Sequence, residues 1–285
     1  MSPDSPIFKA LLFYGCRLPN HPRKWWVHEK LRRLWATGVD MDFDVIRQGL
    51  KWSLNPSDFV QESLFWTGEM DRWEIQEFQR RLVPGSVFLD IGANFGYYSV
   101  RLAVSLQKKI EVHAFEPQPV TFQRLSRNIQ ANGLSDVVHA HQFALSDVAG
   151  QAHMAERPDN SGASRLTDGD DGIAVQTVTL DEFAGQAGLT RVDCIKIDVE
   201  GVEPRVLRGG RETIGKYRPA MVIEFWTPGL GKAGSTPAEL AGVLAELGYQ
   251  MFRLGVSPPA RIEAAPDSLD PVNVLCLHSG LRSAG

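Results

Sequence analysis

The chain has 285 residues, 43% apolar and 22% charged, which is enough for one large α/β domain, with or without an appended piece. A net charge of −4 argues against nucleic acid as the main partner, since phosphate binding needs clustered cations. No apolar run approaches the ~20 residues that span a bilayer. Residues 7–14 lack the length and cleavage site of a secretory signal.

Three cysteines, Cys16, Cys194 and Cys276, show no CxxC spacing and give neither a disulfide framework nor a zinc site. Cys194 and Cys276 lie in apolar runs and read as small core residues. A reducing cytoplasm is the simplest home.

Six of the seven tryptophans lie in the first 73 residues, and residues 1–51 carry nine Lys/Arg against five Asp/Glu. Residues 1–67 are therefore read as a helical N-terminal extension, too small to fold alone, that serves as a lid or a homodimer contact. Its segment HPRKWWVHEKLRRLW (21–35) mixes basic and aromatic residues. That pattern suits nucleic acid, a membrane surface or a phosphorylated substrate. The preferred reading is an amphipathic helix packing its tryptophans on the main domain.

The second unit spans 68–285 and alternates strands with helices. VFLDI (87–91) is the first strand, followed by a helix over 95–107. IEVHAF (110–115) comes next, then a helix over 120–131 that stops at Asn132-Gly133. VVHAHQFAL (137–145) is the third strand and its exit. Residues 146–180 carry no helical period and read as a hairpin-bearing insertion near the substrate. CIKID (194–198), AMVIEF (220–225), YQMFRL (249–254) and VNVLCLH (272–278) supply four more strands, with helices to Leu207 and over 238–247. The expected fold is an open, Rossmann-like, mostly parallel seven-stranded sheet, with one late strand antiparallel at an edge.

In such sheets ligands bind beyond the carboxyl ends of the strands. The first strand runs into DIGANFG (90–96), where Gly92 lets backbone approach a ligand and Gly96 permits tight entry to a helix. Asn94 and Tyr97 occupy the second and third glycine positions of a dinucleotide fingerprint, and no Gly-Lys-Ser/Thr follows. The loop therefore suits a nucleoside without a pyrophosphate. Glu116, 24 residues after Gly92 at the end of the second strand, can accept hydrogen bonds from ribose hydroxyls.

DIGANFGYYS (90–99), AFEP (114–117), ALSD (144–147) and above all KIDVEGVE (196–203) resemble the FkbM family of S-adenosylmethionine-dependent methyltransferases. The resemblance runs from Trp73-Glu74 through VIEF (222–225), and implies the class I methyltransferase fold and O-methylation of glycans or secondary metabolites. It implies that Asp90 sits near the methionine amino group and that Gly92, Ala93 and Asn94 line the methionine portion. Glu116, followed by Pro117, then holds the ribose, and Ala144 lies near the adenine. Phe143 departs from the small polar residue expected there.

Methyl transfer to an aliphatic hydroxyl needs two held partners and a base over the methyl group. The fourth and fifth strand ends offer Lys196, Asp198, Glu200 and Glu224. Lysine in an apolar central strand is costly unless paired, so a Lys196–Asp198 contact is expected. Its bland reading is a structural ion pair; a catalytic or substrate-orienting role is preferred. Oxygen ligands also suit Mg²⁺ at Asp198, Glu200 and Glu224, but Phe225 stands where catechol-type enzymes have Asn, so a metal is not favoured.

His113, His139 and His141 fall in strands as core or edge residues. His153 and the loop residues Asn160 and Ser161 are candidates to reach substrate. The rival functions are an N- or nucleic-acid methyltransferase on the same fold and a non-catalytic nucleoside-binding module.

Overall fold

The computed structural model describes residues 41–155, 165–167 and 172–280, together with Pro6, Ala10, Phe13 and Tyr14. Cys16 and the segment 21–35 lie outside these residues, as do Asn160 and Ser161.

Strands β1 (Phe43–Arg47) and β2 (Leu50–Leu54) pair as an antiparallel hairpin. Its turn residues Gln48 and Gly49 have φ of 53° and 77°, the left-handed pair whose twist matches that of the strands. This corrects the wholly helical extension expected over 1–67. Val45, Arg47, Leu50, Trp52 and Leu54 are buried with exposed residues between most of them, a period of two that no helix buries on one face. Helix α1 (Phe59–Thr67) follows, with the Asp58 carboxylate accepting from the Val60 and Gln61 amides. Helix α2 (Arg72–Arg81) leads into the main sheet.

Along the chain then come β3 (Val87–Ile91), α3 (Tyr97–Ser105), β4 (Glu111–Phe115), α4 (Pro119–Ala131) and β5 (Val138–His141). The strand expected over 137–145 breaks after His141. Its second half is β6 (Ala144–Ser146), which leaves the main sheet and joins β7 (Gly150–Ala155), β8 (Arg165–Thr167) and β9 (Ile173–Thr179) in a separate four-stranded sheet. Helix α5 (Leu180–Gln186) opens with a capping box between Thr179 and Glu182. The chain continues through β10 (Cys194–Ile197), α6 (Glu203–Gly209), α7 (Arg211–Tyr217), β11 (Ala220–Phe225), α8 (Thr227–Lys232) and α9 (Pro237–Glu246). It closes with β12 (Tyr249–Arg253), β13 (Ala260–Ile262) and β14 (Val272–His278).

The main sheet has eight strands in the order β13-β12-β14-β11-β10-β3-β4-β5. Strands β11, β10, β3, β4 and β5 are parallel. The extra strand over the expected seven is β13, three residues long and without a sequence signal. Of the two late strands expected from the sequence, β14 is the antiparallel one and is interior, between β11 and β12; the short β13 is also antiparallel and forms the edge.

Apolar residues cover both faces. Phe88, Val112, Val222 and Leu275 pack with the hairpin and α1 on one side, and Leu89, Ile195, Ile223 and Cys276 form the other core. Cys194 and Cys276 are both buried. Asn128 of α4 ties the hairpin down, its Oδ1 accepting from the Ser53 amide at 2.7 Å. Among the described residues no helix is long and apolar enough to cross a membrane. The strand order reverses between β3 and β10, and a crevice opens beyond their carboxyl ends.

Candidate active site

That crevice is a cavity of about 690 Å³, within the usual range for ligand pockets. Its floor is the loop after β3. Gly92 has φ of 80°, and a Cβ there would meet the Asp198 carbonyl oxygen at 1.8 Å, so only glycine lets this loop lie against the end of β10. The Gly92 and Ala93 amides both donate to the Phe115 carbonyl, at 3.1 and 2.9 Å.

Glu116 faces the loop. One carboxylate oxygen accepts from the Asn94 amide at 3.0 Å and the other from the Gln118 amide at 2.9 Å. Burial pushes its carboxyl up to about 7, against the pull of those two bonds.

Asp90 and Gly96 do not line the cavity. Asp90 Oδ2 accepts from the Ser99 amide at 3.0 Å and its hydroxyl at 2.5 Å, which secures the first turn of α3. Its Oδ1 is buried without a partner, and burial pushes the carboxyl up to about 6. Gly96 begins α3 with φ of 91°, where a Cβ would meet Leu125.

Gly92, Ala93, Asn94, Glu116, Pro117 and Ala144 share the cavity wall. Phe143 lines it too, its ring centroid 5.7 Å from that of Phe115. This end of the cavity is thus largely apolar, with Glu116 and Asn94 as its polar residues.

The other end is acidic. The Lys196 side chain is 1% exposed, and Nζ lies 2.7 Å from Asp198 Oδ2 and 5.1 Å from the Tyr98 ring centroid. Burial opposes the ammonium charge, but the carboxylates of Asp198 and Glu224 override it and raise the pKa. Carboxylate oxygens of Asp198, Glu200 and Glu224 lie within 4.8 Å of one another. Burial, reinforced by Asp198 and Glu203, pushes Glu200 up to about 9. Burial, then Asp198 and Glu200, raises Glu224 well above its ordinary value. Glu200 holds φ of 59° because the flanking Val199 and Gly201 amides both donate to Glu203 Oε1, each at 3.1 Å. Three carboxylates at this separation match a divalent-cation site in size, but the Lys196 ammonium already supplies a cation there.

Several wall residues were not anticipated. The Tyr98 hydroxyl donates to Asp71 Oδ2 at 2.8 Å, and burial followed by Glu74 pushes Asp71 up to about 6. Asn273 stands opposite Glu224 in the β11–β14 ladder and donates to Glu74 at 3.1 Å. Trp226 is fixed by a bond from Nε1 to the Leu269 carbonyl at 2.9 Å. Tyr98 lies two residues past the glycine loop, which is a usable signal; Asp71 and Asn273 come from distant segments and have none. His153 sits on β7, away from the cavity wall. Among the described lining residues, seven carboxylates accompany the single base Lys196.

Residues 90–251 match the family described as the methyltransferase FkbM domain. Methyltransferase sdnD of Sordaria araneosa is 28% identical over 223 residues, 67% of this chain and 82% of that protein. The 2-O-methyltransferase NoeI of Sinorhizobium fredii is 33% identical over 153 residues, 47% of this chain and 61% of NoeI. The 31-O-demethyl-FK506 methyltransferase FkbM of Streptomyces tacrolimicus is 31% identical over 160 residues, 45% of this chain and 60% of that enzyme. With the family match extending over more than half its length, from the glycine loop into β12, this chain belongs to the FkbM family of methyltransferases.

Proposed function

We propose that the chain transfers the methyl group of S-adenosylmethionine to a hydroxyl oxygen of a glycan or secondary metabolite, with Asp198 taking the hydroxyl proton. One observation carries this reading: a single cavity joins an apolar, Glu116-bearing end to the Lys196–Asp198 pair. One relative is named a 2-O-methyltransferase and another a 31-O-demethyl-FK506 methyltransferase, which supports oxygen as the acceptor atom.

The donor set fits this cofactor. Glu116 presents a fixed carboxylate to ribose hydroxyls, with Phe143, Ala144 and Leu145 against the base. The acidic wall favours a ligand with a sulfonium and an amino group, and opposes the phosphates of NAD, ATP or nucleic acid. When bound, the cofactor supplies an electrophilic methyl carbon. The chain's own residues do the rest. Lys196 holds the Asp198 carboxylate in place, Asp198 receives the proton, and Glu200 and Glu224 hydrogen-bond the acceptor's hydroxyls. The Lys196 ammonium offsets the Asp198 charge, and burial favours the protonated forms of Glu200 and Glu224.

Calorimetry on the full chain tests the reading. S-adenosylmethionine and S-adenosylhomocysteine should bind, and NAD and ATP should not. Binding of NAD or ATP without S-adenosylmethionine would overturn it.

A further inference from the structure

The proton-transfer residues leave unused a set of large apolar side chains in the cavity wall. Phe59 is 57% exposed and Leu269 82%, and both line the cavity together with Trp226. Among the described residues none of the three joins an apolar core. Apolar groups gathered at a cavity rather than in a core are positioned for ligand contact.

Trp226 is the most firmly placed of them. It follows β11, two residues after Glu224, and its Nε1 donates to the Leu269 carbonyl at 2.9 Å. Thr227 Oγ1 donates to Asp267 Oδ1 and accepts from the Ser268 amide, each at 3.0 Å, which pins residues 267–269 beside the ring. Gly229 is wedged between the indole and the Glu200 backbone. A Cβ there would meet Trp226 Cε3 at 2.5 Å and the Glu200 carbonyl oxygen at 3.3 Å. Lys232 Nζ, one helical turn after Gly229, lies 5.5 Å from the ring centroid. The indole is thus braced by α8 and along its Nε1 edge, and it also lines the cavity.

Sheet order decides which ligand reaches it. Across the strand ends stand Glu116 after β4, Gly92 after β3, Asp198 after β10 and Trp226 after β11. At ~4.8 Å per strand, Trp226 is roughly 10 Å from the glycine loop, with Asp198 between them. A group resting on Trp226 is therefore on the acceptor side of Asp198.

We propose that Trp226 is the stacking platform for a pyranose ring of the acceptor, which presents one ring hydroxyl to Asp198 and adjacent ones to Glu200 and Glu224. This assignment rests on the methyl-transfer reading above. The C–H hydrogens on one face of a pyranose carry partial positive charge and meet the negative face of an indole. The rim of the sugar carries hydroxyls, and the carboxyls beside Trp226 suit them. Burial drives Glu200 and Glu224 toward their protonated forms, and a protonated carboxyl both donates and accepts. That matches a pair of hydroxyls better than an ammonium or a carboxylate on the acceptor.

The test is saturation-transfer NMR on the full chain loaded with S-adenosylhomocysteine, with methyl pyranosides of the hexoses and 6-deoxyhexoses as probes. Irradiation of the protein's aromatic protons should saturate the C–H protons of one pyranose face. Trp226→Ala and Trp226→Leu should lose that transfer and weaken pyranoside binding at least ~10-fold. Trp226→Phe, which restores an aromatic face, should retain the transfer. Calorimetry should find S-adenosylhomocysteine affinity within about threefold in all three variants. Circular dichroism checks that they fold, and the leucine variant keeps apolar bulk at the position. Failure of every pyranoside to bind the loaded chain would overturn the proposal, as would transfer that persists in the leucine variant. Equal loss of pyranoside and S-adenosylhomocysteine would make Trp226 a cofactor wall instead. An unaltered chain that does not bind S-adenosylhomocysteine would overturn the methyl-transfer reading itself.

Discussion

Lys196 Nζ and Asp198 Oδ2 stand 2.7 Å apart at the end of β10, with the lysine side chain almost wholly buried and the carboxylate partly open to the cavity. The pair is held from both sides. Tyr98 lies under the ammonium, and Gly92 packs against the Asp198 backbone. A buried base that fixes one oxygen of a carboxylate leaves the other free to accept a proton.

Asp198→Asn keeps the shape but removes the proton acceptor. Turnover should fall at least ~100-fold while cofactor affinity stays within about tenfold. Steady-state kinetics and calorimetry on the same preparation check both halves. Equal loss of the two would make Asp198 a cofactor ligand instead.

Glu116→Ala removes an oriented acceptor from the apolar end. S-adenosylhomocysteine affinity should drop by about 1.5–3 kcal/mol, the usual loss for hydrogen bonds to a charged group. Unchanged affinity in a folded variant would remove Glu116 from the site.

The acidic cluster gives stability a pH dependence of definite sign. Glu200 is pushed up to about 9, so the folded chain binds that proton more tightly than the unfolded chain does. Its contribution is fully present below the ordinary carboxylate value and is lost as pH rises toward 9. Thermal melts of Glu200→Gln and the unaltered chain should therefore diverge in favour of Gln between pH 5 and 9. A constant difference across that range would contradict the assigned burial.

The legibility of this fold in the sequence depended on length and period. The strands around 87–91, 220–225 and 272–278 matched to the residue, because their apolar runs are buried on both faces. The hairpin over 43–54 differs from the helical extension expected from the tryptophan content; the inward alternation on either side of Gln48-Gly49 is the sequence signal that fits it. Short elements such as α7, α8 and β13 carry too few residues to show a period. At the site, the glycine loop, Glu116 and the KID-x-EG block were readable because each is local. Asp71, Asn273 and Trp226 reach the cavity only through tertiary packing.

The hairpin makes its own prediction. Trp52 is 1% exposed and packs edge-on to Phe95 at 5.8 Å, inside the core shared with the main sheet. Trp52→Ala should cost about 3–5 kcal/mol, and deletion of residues 1–56 should destabilise the domain further. Denaturant melts read this directly. A truncated chain as stable as the full one would mean that the hairpin is dispensable.

The most direct test of the central claim is carbon NMR of the product formed from S-adenosylmethionine labelled with ¹³C at the methyl group, against a panel of glycosides and hydroxylated metabolites. The account predicts a resonance in the O-methyl range, formed with stoichiometric S-adenosylhomocysteine and absent with Asp198→Asn. An N-methyl resonance, or bound cofactor with no transfer to any hydroxyl in the panel, would contradict it.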